Sequence, residues 1–337
     1  LIDAWNSTVN TSTAAGPVHF ERGVPLSVRL EYWQENTQGN PSIALQWSLL
    51  PYSTASNVDS DDPITAAVSL ATSSDAAVVV VGGANNDGTQ TTEGEGVDRG
   101  ALSLPGRQLA LVAAIAEKCS AAGIPFTVIL VDGKPTAEPL LISLPSVVAA
   151  FQGGQSAGDA VARILTGQES PSGKLPVSFP ASADVLPVYY NHKPSAARGG
   201  YIDCDSSVLF PFGHGLSYTV FTYSDLVVPQ HPVPHNGRVA LSFRVSNTGN
   251  RTGTEVVQVY VRDVVSSVTT PVKSLKAFER VALQPGESRV VDVSLSPDLD
   301  LAVLNRDYRW VVEPGEFKVM VGGSSDDTPL QASFYVS

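Results

Sequence analysis

Residues 91 to 100 read TTEGEGVDRG, which places Glu93 and Glu95 in a glycine-containing run with Asp98 and Arg99 close behind. A carboxylic acid on such a loop, shielded from bulk water by a substrate, has its pKa raised and can donate a proton to a leaving oxygen. Glycosidases pair an acid of this kind with a second carboxylate, about 5–5.5 Å away in retaining enzymes. An ordinary solvated acidic loop has the same composition, so the residues alone leave both readings open. A second candidate is GQSAG at 154–158, which matches G-x-S-x-G and makes Ser156 a possible hydrolase nucleophile, with His192 and His214 available downstream. A tight turn entering a helix would look the same.

The elements that must position these groups can be read from periodicity. The loop with the glutamates follows AAVVVVGG (76–83), a continuous apolar strand, and loops after buried strands are common mounts for catalytic groups. From about residue 64 a helical stretch, this strand, a helix over GRQLALVAAIAEKCSAAG, strands FTVILVDG and SVVAAFQGG, and a helix over SAGDAVARILTG succeed one another. Apolar strands alternating with helices predict a mostly parallel sheet covered on both faces, with ligands at the carboxyl ends of its strands. Residues 18–50 alternate instead with period two: Leu26, Val28, Leu30 and Tyr32, then Ile43, Leu45, Trp47 and Leu49. Two such strands are the tail of a β domain, not a domain in themselves. Residues 188–225, rich in Pro, Gly, Tyr and His, read as an ordered connector. After about residue 236 alternating strands separated by Gly, Asn and Pro turns predict a β-sandwich.

Composition excludes several function classes. With 33 acidic against 21 basic residues the net charge of −12 disfavours nucleic acid and anionic membrane as partners. The longest apolar runs fall far short of the roughly 20 residues that a membrane span needs. Three N-x-S/T triplets, at Asn6, Asn10 and Asn250, together with acidity and few lysines, point to a secreted glycoprotein. The opening segment, with neither an initiator methionine nor a secretory signal, reads as a processed or cut N-terminus. The two cysteines, Cys119 and Cys204, have no metal-ligand spacing and leave free thiols and a disulfide both open.

A resemblance sharpens this picture. EGVDR at 95–99 followed by LSLPGRQ at 102–108 resembles the acid/base loop of glycoside hydrolase family 3, the β-glucosidase and β-xylosidase family. AFQGGQSAGDAVARILTG (150–167), SPSGKLPVSFP (170–180), YYNHKPSA (189–196) and FPFGHGLSYTVF (210–221) follow in family order. PVKSLKAFERVALQPGES (271–288) and VEPGEFKVMVGGSSDD (312–327) are similar to the family's fibronectin type III-like domain, and the first fifty residues to the end of a PA14 domain.

The resemblance implies a multidomain chain: 1–52 the C-terminal part of a PA14 β domain, 53–187 an α/β-sandwich domain, 188–225 a connector and 226–337 a fibronectin type III-like domain. It implies Glu95 as general acid/base, Glu93 as its fallback, Asp98 and Arg99 bracing the loop as a charge-assisted pair, and His192 as a wall of the sugar site or a structural histidine. GQSAG becomes a helix-entry turn. His214 stands where other members often carry an aromatic residue. No metal or organic cofactor is implied. The family's nucleophile is an aspartate on a (β/α)8 barrel that nothing here resembles, so a barrel partner and an oligosaccharide or glycoside substrate are expected; a homodimer, and a non-catalytic carbohydrate-binding or scaffold role, stay open.

Overall fold

The computed structural model describes residues 62–83, 92, 99–194, 201–202 and 207–337. Glu93, Glu95, Asp98, Asn6, Asn10, Cys204 and the segment read as a PA14 remnant lie outside the described residues.

Helix α1 (Pro63–Thr72) starts with proline in its first turn, where the missing N–H costs nothing, and leads into strand β1 (Ala77–Gly82). Helix α2 (Gln108–Ala122) ends at Gly123, whose φ of 68° places it in the left-handed region, and Ile124 N–H closes the cap on the Cys119 carbonyl at 2.9 Å. Strand β2 (Phe126–Val131), the short helix α3 (Leu140–Ser143), strand β3 (Val147–Ala149) and helix α4 (Ala157–Leu165) complete this half. The three strands form a parallel sheet in the order β1-β2-β3, as the unbroken apolar runs predict. Val112, Ile115 and Cys119 of α2 join Val79, Val81, Val128 and Leu130 in one buried cluster.

Cover of the opposite face is uneven. Ile129 on β2 is buried, but Val78 and Val80 on β1 are 53% and 62% exposed. The expected cover on both faces therefore holds at the central strand and fails at β1, which is an edge strand among the described residues. The side-chain alternation along β1 is the physical reason: its odd-numbered residues face α2 and its even-numbered valines face outward.

The second half is a sandwich of two antiparallel sheets. One contains β6 (Phe221–Val227), β7 (Val239–Asn247) and β10 (Ser288–Leu295). The other contains β8 (Gly253–Asp263), β9 (Ser274–Leu283), β13 (Gly315–Gly322) and β14 (Leu330–Val336). Val239, Leu241, Phe243 and Val245 alternate into the core from β7, opposite Val257, Val259 and Val261 of β8. The boundary expected at residue 225/226 falls inside β6, which pairs with β7, so the sandwich begins at Phe221 and the connector is shorter than the sequence indicated. Two strands shorter than any readable period, β4 (Phe179–Pro180) and β5 (Val208–Phe210), pair across the connector.

The connector and the segment before it are fastened to the sandwich at β8. Tyr190 stacks on Phe212 at 4.4 Å and meets Tyr260 edge-on at 5.6 Å, and its hydroxyl accepts from Leu275 N–H at 3.1 Å. Gln258 is 3% exposed and donates to the Gly213 and Gly323 carbonyls at 3.1 and 2.6 Å. Lys174 reaches across to Glu255 at 2.9 Å and to the Gly215 carbonyl at 3.0 Å, both side chains nearly buried.

Candidate active site at the ends of the parallel strands

The loops after β1, β2 and β3 leave the same edge of the parallel sheet, the position where α/β sheets gather ligands. The loop after β1 is the one with Glu93, Glu95 and Asp98, and its flanks are fixed at several points. At the root, Gln108 clasps Gly82 from both sides, its Oε1 accepting the backbone N–H at 2.7 Å and its amide nitrogen donating to the carbonyl at 2.9 Å. Gly82 has φ 148°, and a Cβ there would overlap the Val131 carbonyl, so only glycine permits this contact with the neighbouring strand.

Further along, Arg99 donates through Nη1 to the Thr92 carbonyl at 2.7 Å and through Nη2 to the Ser103 carbonyl at 3.3 Å. The guanidinium thus ties Thr92, just before 93–98, to Ser103 beyond it. The partners of Arg99 seen here are carbonyls; Asp98, the expected partner in a charge-assisted pair, lies outside the described residues. Downstream, Glu138, 5% exposed, accepts Leu104 N–H at 3.0 Å, and Ala137 N–H bonds the Leu102 carbonyl at 2.9 Å. Arg107 pairs with Asp62 at 2.7 Å, and this guanidinium holds the Asp62 carboxyl below its usual range.

The β2 loop contributes a buried polar group that sequence reasoning missed. Asp132, 2% exposed, is bridged by Lys134 at 2.6 Å and by the Thr136 hydroxyl at 3.1 Å, while its Oδ1 has no hydrogen-bond partner. These three side chains line a small cavity with Leu130, Ala149, Phe151 and Phe179. The available signal was the polar run DGKPTAEP directly after an apolar strand, the same cue that singled out the preceding loop. After β3, Phe151 is held at φ 51° and meets Phe179 edge-on at 6.4 Å, which in turn meets Phe210 at 6.1 Å.

The remaining sequence candidates separate cleanly. Ser156 occupies the N-cap position of α4 with φ −96° and ψ 9°, at the helix-entry turn that the resemblance implies for GQSAG. His214 stacks on Phe210 at 5.3 Å; burial, reinforced by the nearby Lys174 charge, lowers its pKa and keeps the ring neutral as a packing element. His192 is partly exposed, its Nδ1–H donating to the Lys193 carbonyl at 3.0 Å and its own carbonyl accepting from Val272 N–H at 2.9 Å, so its backbone is fixed to the sandwich. Asn250 is exposed in the β7–β8 turn. Cys119 is a free, fully buried thiol of the α2 core.

Known proteins match the two halves of this chain in the same order. Residues 7–218 match the glycosyl hydrolase family 3 C-terminal domain and 255–325 a fibronectin type III-like domain. The family match starts within the segment read as a PA14 remnant. A β-xylosidase of Formosa agariphila is 42% identical over 79% of this chain and 36% of its own length. The thermostable β-glucosidase B of Acetivibrio thermocellus is 39% identical over 82% of this chain and 37% of its own. Among solved structures, a β-glucosidase from Erythrobacter marinus superposes with a TM-score of 0.74 at 35% identity, covering 81% of this chain and 36% of that one. The β-glucosidase of Listeria innocua in complex with glucose gives 0.72 at 30% identity, covering 82% and 39%. The chain therefore spans little more than a third of the length of these relatives, such as 36% of the β-xylosidase. With the family model matched over more than half of its residues and relatives this similar along most of it, the chain belongs to glycosyl hydrolase family 3.

Proposed function

We propose that this chain is the C-terminal portion of a secreted, retaining exo-β-glycosidase that removes β-linked sugars from non-reducing ends, and that Glu95 is its general acid/base. The observation that carries the reading is the clip from Arg99 to the Thr92 and Ser103 carbonyls, which fixes the flanks of the segment containing Glu95 within the matched family domain. In the first step the protonated Glu95 gives its proton to the glycosidic oxygen as the bond to the sugar carbon breaks and a carboxylate attacks that carbon. In the second step the Glu95 carboxylate takes a proton from water as the water displaces the enzyme carboxylate. The nucleophile belongs to a (β/α)8 barrel partner, because the family resemblance gives this chain no aspartate for that role.

The outward valines of β1, Val78 and Val80, supply an apolar face that the barrel portion would cover. Residues 1–52 are assigned to the end of a PA14 domain on the period-two alternation of Leu26 to Tyr32 and Ile43 to Leu49. The mostly parallel α/β sandwich is the wider sheet to which β1, β2 and β3 would belong. The exposed turn position of Asn250 suits N-glycosylation in a secreted protein. The test is the stereochemistry of the full-length protein: proton NMR of aryl β-glucoside and β-xyloside hydrolysis should show the β-anomer of the sugar forming first. The α-anomer forming first would reject the double-displacement reading.

A further inference from the structure

A cleft opens at one end of the β-sandwich. It has a volume of about 800 Å³, within the range of small-molecule sites, and its walls include Asp263 at the end of β8, Lys276 on β9, Asp300, and the hairpin of β11 (Val303–Leu304) and β12 (Trp310–Val311). The hairpin offers its aromatic side chains to solvent: Tyr308 is 86% and Trp310 72% exposed. Tyr308 is held at φ 60°, a conformation that an aromatic residue adopts only when its surroundings impose it. Here they do. The Asn305 side-chain oxygen accepts the N–H groups of Asp307 and Arg309 at 2.9 and 3.0 Å, and Asn305 and Arg309 pair through the backbone at 3.0 Å. A rigid turn that maintains a strained backbone in order to expose two aromatic rings is a built feature, not a frayed one.

One polar atom of the cleft lacks a partner. Asp263 Oδ2 is buried without a hydrogen bond. Burial, followed by the nearby Glu313 charge, raises the Asp263 pKa against hydrogen bonds from Val265 N–H and Ser266. Lys276, half-buried beside the charge of Asp300, also loses solvation. An anionic ligand would meet Asp263 and Asp300, and a cationic one would meet Lys276. A neutral ligand with hydroxyl donors and acceptors around its rim and an apolar C–H face suits all of them, since aromatic rings accept such a face and the hydroxyls satisfy the buried carboxyl. We propose that this cleft on the fibronectin-like domain binds a neutral carbohydrate chain through Trp310, Tyr308, Asp263 and Lys276.

The test uses full-length protein bearing Glu95→Gln, so that bound sugar persists, titrated calorimetrically with xylo- and cello-oligosaccharides. One binding event should weaken about 3- to 10-fold on Trp310→Ala, the loss expected for one aromatic stacking contact. It should survive Trp310→Phe and weaken again with Asp263→Asn. Isotherms of Trp310→Ala and Tyr308→Ala that overlay the parent would overturn the assignment, as would a loss in Trp310→Ala that Trp310→Phe fails to restore. Continued hydrolysis of the titrant by the Glu95→Gln protein would instead count against the acid assignment, and leaves the comparison among cleft variants readable.

Discussion

Replacing Arg99 by alanine removes the two bonds that tie Thr92 and Ser103 together. A hydrogen bond from a charged donor contributes about 1.5–3 kcal/mol, and the 2.7 Å contact to Thr92 belongs in that range, while the contact to Ser103 at 3.3 Å is weaker. Taking about 2 kcal/mol for the pair, loss of the clip raises the open population of the loop about 30-fold. The expected outcome for the full-length protein is a fall in kcat/KM of up to about 30-fold, and Arg99→Lys, with one directed bond kept, should recover part of it. Hydrogen exchange supplies the readout independent of catalysis: amides from 92 to 104 should exchange faster in Arg99→Ala while those of β1 and β2 do not change. Unaltered exchange across that segment would refute the reasoning, whatever the kinetics show.

Two further outcomes follow from other contacts. His214 has a folded pKa below its ordinary value of 6.5, so the unfolded chain binds its proton first; stability is therefore full above about pH 6.5 and falls as pH drops through the lowered value. Denaturant unfolding from pH 8 to pH 5 should show this loss, and His214→Phe, which keeps the stack on Phe210, should flatten that component; an unchanged pH slope would contradict it. Lys174→Met leaves Glu255 without its cation, and breaking a nearly buried pair costs about 3–5 kcal/mol, much of which should return in the Lys174→Met, Glu255→Gln double variant. A cost below about 1 kcal/mol for the single variant would show that the pair does not join the two halves.

Much of this arrangement was legible from periodicity. The change from an α/β rhythm to period two located α1, β1, α2, β2, β3 and α4, and then β7, β8, β10 and β13, because long apolar faces leave a repeated trace. β6 escaped because its alternation is interrupted at Asp225, which sits at φ 57° where the register shifts. β4 and β5 are too short to have a period at all. The loop with the glutamates could be singled out by its place after a buried strand, yet its fastenings could not. Gln108 to Gly82, Glu138 to Leu104 and Lys174 to Glu255 join residues 26, 34 and 81 positions apart, and only the folded chain brings them together. The outward valines of β1 could not be told from buried ones, since an apolar run has the same sequence whether one face or both are covered.

The most direct test of the account is the dependence of hydrolysis on leaving-group basicity in full-length Glu95→Gln. The account predicts that aryl glycosides with poor leaving groups lose several orders of magnitude in kcat/KM, while those with good leaving groups, which need no proton, lose far less at the bond-breaking step, and that added azide restores turnover as a β-glycosyl azide product. Equal activity of variant and parent across the whole leaving-group series, with no azide adduct, would contradict it.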